Sequence, residues 1–348
     1  MKHGIAAALL LGLLCLSGCA PTTVVYYGDD ILPQPPQSET EQEGEDKEKE
    51  AVKTGLAVLT DISGSESGVK ADGEVTVVAL TVDDGGIIRS CIIDGISTQL
   101  TFDDDGELTG DITAPVQTKN ELGEAYGMKH YGGARYEWDQ QAAALSRYAV
   151  GKTAEQLRIS AIDDNGYALD ADLATTATIY LGGLVDAIEQ AAVSARHCGA
   201  RLGDALRLAV IADWSESTGA DDEKEGRARL KCDIAALTLD ALTITSCRID
   251  SVQADVTFND DGELTGDITA PVKTKNELGE AYGMKRYGGA KYEWNEQAAN
   301  FAAYVTGKTA AQVAGIAVEG GKAAEADLAA TVTISIAPFQ SLIAKACG

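Results

Sequence analysis

The sequence predicts an α+β protein made of two tandem repeats, each an antiparallel, hairpin-rich sheet packed by an amphipathic helix and a terminal helix. The main observation is a duplication: residues 101–153 return as residues 257–309 with 41 identities and 12 differences. Each copy follows short β-branched segments and itself contains apolar residues at helical spacing. A chain of 348 residues has room for two such domains, each with its own core.

The strands are predicted to come first in each repeat. In the first repeat they are expected at 56–62, 74–82, 87–93 and 98–102. Asp83-Asp84-Gly85-Gly86 predicts a hairpin turn, because glycine supplies the positive φ that tight turns need. The second repeat diverges in this region, where Asp240-Ala241 replaces that turn.

Helices are predicted later in the repeat. Thr118-x-x-Glu121 has the spacing of a capping box and indicates a short helix from Lys119. An amphipathic helix is expected from the apolar face formed by Trp138, Ala142, Leu145 and Ala149. Residues 175–181 are expected as a strand or a strand-to-helix turn, and residues 184–195 as the terminal helix.

The N-terminal segment predicts export. Residues 1–18 combine a short basic start with an apolar run that is too short to span a bilayer, as in a signal peptide. Leu16-Ser17-Gly18-Cys19 resembles the bacterial lipobox, which implies lipid modification of Cys19 and a cell-membrane anchor facing the extracellular side. Residues 19–54 are rich in charge and poor in apolar residues, so they are expected to form a disordered acidic tether.

Charge and cysteine content exclude several classes of protein. The formal net charge of −26 argues against nucleic acid as a partner, since phosphate binding needs a basic face. Five cysteines remain after Cys19, namely Cys91, Cys198, Cys232, Cys247 and Cys347. Their odd number and the absence of CxxC spacing argue against a disulfide framework or a zinc site. Cys91 and Cys247 share a repeat position within apolar strand patterns and are expected in the core, whereas the pairing of the other three is left open.

Comparison of the two copies weakens most catalytic hypotheses. His130 becomes Arg286, so a histidine base is not shared. The retained pair Asp111 and Asp267 keeps paired-carboxylate hydrolysis as a minor alternative. These comparisons favour a protein that is not an enzyme.

The segment NELGEAYGMK, present in both copies, is a candidate ligand loop. Glycines flank an aromatic residue and a thioether, which suits a loop that bends over a planar apolar ligand. The candidate residues are Tyr126, Met128, Tyr282 and Met284. The alternative is that these side chains pack against the sheet.

The chain also resembles surface lipoproteins of Gram-positive bacteria, in particular the tandem-domain flavolipoproteins of extracellular electron transfer. The hairpin VTVVALTVDDGGIIRSCIID is similar to the opening of the FMN-binding domain family. That family links FMN through a phosphoester bond to the last hydroxyl residue of a Ser/Thr-Gly-Ala-Ser/Thr motif. The resemblance implies FMN as cofactor and Thr176 or Thr331 as the attachment residue. Both copies lack the glycine of the motif, which leaves covalent and non-covalent binding open.

Two functions follow as hypotheses. The first is a lipid-anchored extracellular protein with FMN-binding-like domains at 55–195 and 206–348, separated by a joint at 196–205, that carries flavin for electron transfer to a redox partner in the membrane. The second is a non-catalytic binding or structural lipoprotein with duplicated ligand-capturing modules. Two linked copies would raise the effective concentration toward a multivalent partner.

Overall fold

The structure is a computed structural model that describes residues 49–348. The predicted signal peptide, the predicted lipidation site Cys19 and the predicted tether up to residue 48 lie outside the described residues. The prediction that the tether extends to residue 54 is wrong, because Val52 and Thr54 are buried and a strand begins at Lys53. Residues 49–347 belong to one compact unit that combines helices with antiparallel sheets, which confirms the α+β class.

The first half of the described chain, residues 49–195, begins with a three-stranded antiparallel meander. Its strands are β1 (Lys53–Asp61), β2 (Lys70–Val82) and β3 (Ile88–Thr101), in that order across the sheet. The two extended pieces predicted at 87–93 and 98–102 are one continuous strand, because β2 pairs with β3 from Val82–Ile88 to Lys70–Thr101. A long partner strand keeps the intervening residues in the ladder.

Helices complete the first half. They are α1 (Lys119–Leu122), α2 (Met128–Gly132), α3 (Trp138–Ala149), α4 (Ala154–Ala161), α5 (Ala171–Ala174) and α6 (Gly182–Ser194), with a 3₁₀ turn at Gly123–Tyr126. The capping box predicted before α1 is confirmed: Thr118 Oγ1 accepts from Glu121 N at 3.2 Å, and Glu121 Oε2 accepts from Thr118 N at 3.0 Å. These reciprocal bonds satisfy two backbone donors at the helix start.

The second half, residues 205–348, contains a second three-stranded antiparallel sheet. Its strands are β4 (Ala205–Asp213), β5 (Gly226–Asp240) and β6 (Thr243–Phe258). The remaining elements are α7 (Lys275–Leu278), a 3₁₀ turn (Gly279–Tyr282), α8 (Met284–Gly288), α9 (Trp294–Val305), α10 (Ala310–Ala314), β7 (Val318–Glu319), β8 (Lys322–Ala323), α11 (Ala326–Ala329) and α12 (Ala337–Cys347). Ala241, which follows β5, has a φ of 54°, so the turn that replaced the glycine pair keeps a left-handed residue.

The two three-stranded sheets pack face to face, and helices cover their outer faces. Val77 and Ala79 of β2 point into the core between the sheets, while Val78 and Leu80 point to the core beneath α3 and α6. The second sheet likewise faces β1–β3 on one side and α9 and α12 on the other. Because both faces are buried, the central strands carry nearly continuous apolar runs instead of strict alternation.

Equivalent positions of the repeat meet between the sheets. The rings of Phe102 and Phe258, which are 156 residues apart, stack with centroids 4.0 Å apart and planes inclined by 4°. The turns that follow them also touch, since a Cβ on Gly106 would lie 2.6 Å from Asn259 O and a Cβ on Gly262 would lie 2.4 Å from Asp103 O. Glycine is therefore needed in both turns for close approach as well as for positive φ.

The segment predicted as a joint at 196–205 lies against the start of β1. Thr54 N donates to Arg196 O at 2.9 Å and Arg196 N donates to Thr54 O at 3.1 Å. The Thr54 and Ser246 hydroxyls are 2.7 Å apart in the buried interior. The segment thus joins the two halves through hydrogen bonds, and the proposed domain boundaries at 195 and 206 remain a prediction.

Candidate functional site

A buried glutamate holds the loop that contains Met128. The Glu137 carboxylate is almost fully buried and accepts hydrogen bonds from Met128 N at 2.8 Å and Lys129 N at 3.1 Å. It also caps α3 together with Gln140. In the second half, Glu293 accepts from Met284 N at 2.8 Å and Lys285 N at 3.1 Å. A buried carboxylate is stable only when it is well hydrogen-bonded, so these contacts make the loop a rigid part of the fold.

The four predicted loop residues pack against the helix-side cores. Tyr126 and Met128 are half-buried against the core of the first half, and Tyr282 and Met284 against that of the second. Met128 Sδ lies 4.0 Å from Gln141 Nε2, deep in the helix layer. These contacts match the packing alternative, and a role in ligand binding stays a proposal for all four.

Thr176 and Thr331, the proposed flavin attachment residues, occupy turns after short helices. Thr176 N donates to Leu173 O, and Thr331 N donates to Leu328 O, both at 3.0 Å. Both threonines are half-buried. Of the two structures expected for residues 175–181, the turn is the one that forms.

A fully buried glutamine, which sequence reasoning missed, connects the turn at residues 175–181 to the loop that ends at Tyr136. Gln141 Oε1 accepts from Thr178 N at 2.7 Å and Ile179 N at 3.1 Å, and Gln141 Nε2 donates to Tyr136 O at 2.9 Å. The second half has the same contacts from Gln297 to Thr333 N at 2.7 Å, Ile334 N at 3.1 Å and Tyr292 O at 2.9 Å. The signal in the sequence was a glutamine one position before Ala142, on the apolar face of the predicted helix, in both copies.

Each half also contains what we call a lysine niche, in which a buried lysine lies beside two aromatic rings. In the first niche, Lys119 Nζ is 5.4 Å from the Tyr126 ring centroid and 5.1 Å from the Trp138 ring centroid. Glu74 Oε2 lies 2.9 Å from the same ammonium group. The first niche is therefore neutralised by a carboxylate of the same chain.

The second lysine niche has the same rings but different charges. Lys275 Nζ is 5.3 Å from the Tyr282 centroid and 5.1 Å from the Trp294 centroid. Among the described residues, no side chain forms a hydrogen bond or an ion pair with this ammonium group. Burial lowers the pKa of Lys275 below its usual value, because desolvation disfavours the charged form.

In each half, the ring of an exposed tyrosine contacts a glycine. We call residues 127–136 and 283–292 the tyrosine loops. Tyr131 is 85% exposed, yet a Cβ on Gly127 would lie 2.6 Å from its ring. Tyr287 is 77% exposed, and a Cβ on Gly283 would lie 2.5 Å from its ring. The Cδ2 and Cε2 atoms of each ring therefore lie against the glycine backbone, and the rest of the ring faces solvent.

The tyrosine loops are basic in a strongly acidic protein. The first contains Lys129 and Arg135, the second contains Lys285, Arg286 and Lys291, and neither contains a carboxylate. Arg286 Cζ lies 5.2 Å from the Tyr287 centroid, so a cation accompanies the exposed ring. Such a local reversal of charge marks a surface suited to an anionic partner.

Two buried aspartates hold α1 and α7 on the sheets. Asp94 Oδ1 accepts from Gly95 N at 2.7 Å and from Asn120 N at 3.1 Å. Asp250 Oδ1 accepts from Ser251 N at 2.8 Å and Asn276 N at 3.2 Å. Burial raises the pKa of each carboxyl to about 6. Sequence comparison alone did not distinguish them from the other retained acids.

The paired carboxylates of the hydrolase alternative do not share a pocket. Asp111 Oδ1 accepts from Thr113 N at 2.8 Å and from Thr113 Oγ1 at 2.6 Å on an exposed turn. Asp267 makes the same contacts with Thr269, at 2.9 and 2.6 Å. The threonine hydrogen bonds hold the pKa of both carboxyls below the usual value, which favours turn capping over proton transfer.

Two concavities on the described surface are large enough to compare with the needs of a flavin. The larger, about 690 Å³, is lined by Asp163, Asp164 and Asp186, and its Arg158 is paired with Asp186 and Glu189. The other, about 610 Å³, is lined by Glu189, Glu277 and Arg196. Neither is lined by a predicted flavin residue. The acidic lining of the larger concavity does not favour the anionic phosphate of a flavin.

The described cysteines are free thiols. Cys232 and Cys247 are buried, and Cys91 packs at the edge of the helix-side core of the first half. Burial raises the pKa of Cys91 to about 12, which makes its thiol unreactive. Among residues 49–348, no group of three or more His, Cys, Asp or Glu side chains is arranged to hold a metal ion.

Comparisons with protein-family models, with curated proteins and with solved structures find no match for this chain. Within the part of the chain that the structure describes, no helix is both long and apolar enough to cross a membrane. Function is therefore inferred from the lysine niches, from the turns that contain Thr176 and Thr331, and from the tyrosine loops.

Proposed function

We propose that this protein is a lipid-anchored surface protein that binds an anionic glycan through its two tyrosine loops. In this proposal Cys19 carries the lipid, the acidic segment up to residue 48 is the tether, and the compact unit faces the extracellular side. The observation that carries the proposal is the exposed tyrosine ring held on a glycine in each half.

A sugar ring suits this arrangement for a physical reason. Saccharides present flat faces of C–H groups that stack on aromatic rings, and a fixed ring loses little entropy on binding. Tyr131 N donates to Gly127 O at 2.8 Å, and Tyr287 N to Gly283 O at 2.8 Å, so hydrogen bonds hold the backbone that carries both rings.

The cations within the tyrosine loops would select an anionic partner. Carboxylate or phosphate groups on the glycan would pair with Arg135 in the first loop and with Arg286 and Lys291 in the second. The remaining surface is acidic and repels polyanions elsewhere, which confines binding to the loops.

We further propose that the two halves are copies of one unit, so that each molecule binds the same polymer twice. Both loops have the same glycine support, the same glutamate clamp and the same buried glutamine. Binding of a repeating polymer by two linked sites raises avidity without new contacts.

Substitution of both tyrosines tests the proposal. In affinity electrophoresis of the full chain, polygalacturonate should retard the wild-type protein, and sodium chloride should weaken the effect. Tyr131→Ala or Tyr287→Ala alone should weaken retention about tenfold, and the double variant should remove it. The thermal unfolding midpoint should change little, because both rings are exposed.

Tyr167→Ala is the matched control, since Tyr167 is an exposed tyrosine outside both loops. It should bind like the wild type, and neutral dextran should retard none of the proteins. Equal retention of the double variant and the wild type would exclude the tyrosine loops as the binding surface.

Covalent flavin carriage is a second proposal, favoured by the rigid turns of Thr176 and Thr331. The buried glutamines hold both turns, and each threonine is half-exposed, as a residue linked through a phosphoester would be. The isoalloxazine ring would supply the redox chemistry. Protein expressed with its native flavin transferase should then be yellow, and the Thr176→Ala/Thr331→Ala variant should be colourless. A colourless wild-type protein without added mass would end this proposal.

A further inference from the structure

The two lysine niches differ in the charge of one side chain. The strand register shows which positions of the two sheets correspond. In the first sheet Glu74 pairs with Ser97, and in the second sheet Lys231 pairs with Gln253. Ser97 and Gln253 are 156 positions apart, the spacing of the repeat. Lys231 therefore takes the strand position of Glu74, and a cation replaces the carboxylate that neutralises the first niche.

Lys275 consequently has no carboxylate in contact among residues 49–348. The nearby charged groups are Asp233 and Glu216, which favour its charged form, and Lys231 and Arg229, which disfavour it. The acids are engaged by the other cations: Asp233 lies 3.5 Å from Lys231 Nζ, and Glu216 lies 3.4 Å from Arg229. Lys275 is only 7% exposed, so its ammonium group loses hydration without gaining an ion pair.

On the neighbouring strand β6, the Ser251 hydroxyl is a second buried polar group without a partner among the described residues. In the first half that position is Gly95, where a Cβ would lie 3.5 Å from Lys119 Cδ and 3.6 Å from the Trp138 ring. In the second half it is Ser251, paired across the ladder with Asp233. The Ser251 hydroxyl is buried and has no hydrogen-bond partner among the described residues. Buried hydroxyls are normally satisfied, so this one points to a missing partner.

We propose that the second lysine niche binds a small organic carboxylate, which takes the place that the Glu74 side chain has in the first niche. The carboxylate pairs with the Lys275 ammonium group and lies beside Lys231, while the Ser251 hydroxyl is available as a further donor. The rings of Tyr282 and Trp294 form an apolar wall. The Glu74 side chain is 44% exposed, and the Lys231 side chain at the corresponding strand position is 23% exposed, so this place reaches solvent in both halves.

The first niche explains why a carboxylate is the preferred ligand. Its Lys119–Glu74 pair shows the geometry that this aromatic surrounding accepts, at an N–O distance of 2.9 Å. An anion restores to Lys275 the ion pair that burial otherwise denies it. The inference is independent of glycan binding, because the niche lies beneath α7 and does not include the exposed rings.

Isothermal titration of the full chain with benzoate tests this site. The wild-type protein should bind a single equivalent, and chloride at the same ionic strength should not compete. Lys231→Glu, which recreates the arrangement of the first niche, should bind at least about tenfold more weakly and should raise the unfolding midpoint. Lys275→Met should also lose binding.

Lys119→Met is the matched control, because it removes the same residue type from the first niche and should leave benzoate binding unchanged. Titration with an N-acetylated dipeptide and with its amide distinguishes a free acid from a peptide C-terminus as the natural source of the carboxylate. The proposal is overturned if the wild type binds no carboxylate, if folded Lys231→Glu binds as tightly as the wild type, or if Lys119→Met abolishes binding.

Discussion

Replacement of Phe258 by alanine is expected to lower the free energy of unfolding by about 3–5 kcal/mol and to destabilise both halves together. Phe258 is fully buried and stacks on Phe102 in the core between the two sheets. Truncation removes apolar burial, leaves a cavity and abolishes the ring stack. Since strands of both halves line this core, the cavity weakens the whole unit.

Urea unfolding followed by circular dichroism and by tryptophan fluorescence measures this effect. The two signals should coincide in one transition for the wild type and for the variant. Phe301→Leu is the control, because Phe301 lies in the helix-side core and the first half has Leu145 at the equivalent position. It should cost less than about 1.5 kcal/mol. Two separate transitions would show instead that the halves unfold independently.

The Asp94→Asn/Asp250→Asn double variant is expected to be more stable than the wild type at pH 8 by up to about 3 kcal/mol per site, and to show no such gain at pH 4. Burial raises both pKa values from 3.8 to about 6. The folded state therefore keeps these protons longer than the unfolded chain does. The associated stability is fully present below pH 3.8 and is lost as the pH rises through about 6.

Asparagine makes this comparison clean, because its Oδ1 still accepts from the backbone N–H groups that the aspartate binds, while no charge is buried. Thermal midpoints at pH 4 and pH 8 provide the measurement. Asp111→Asn is the control with the opposite sign, since the pKa of Asp111 is lowered by the Thr113 hydrogen bonds. An equal gain at both pH values for the double variant would refute the assignment to charge burial.

Local sequence signals predicted the elements well where short-range chemistry decides structure. The capping box at Thr118 and Glu121 formed as predicted, and α3 runs from Trp138 to Ala149 as its apolar face indicated. The predicted break within β3 was wrong, because pairing with the long strand β2 holds Asp94 to Ser97 in the ladder. That pairing is a long-range property which local composition does not contain.

The candidate sites also depended partly on local sequence and partly on long-range packing. Sequence comparison selected Tyr126 and Tyr282, whose rings are half-buried. It did not select the exposed Tyr131 and Tyr287, which lie five residues later in each copy. Exposure depends on which ring meets the core, and the helix packing decides that. Gln141 and Lys119 were equally visible in both copies, yet only their contacts distinguish them from surface residues.

The sequence by itself determined the duplication, the order of strands and helices, the capping of the short helices and the strongly acidic surface, since these depend on residue type and local spacing. Only the tertiary structure decided that the sheets share one core and that the Phe102 and Phe258 rings stack. It also decided that Lys119 has a carboxylate partner, while Lys275 has none within the part of the chain that the structure describes. These facts depend on the register of distant strands, which determines which charges and rings come into contact.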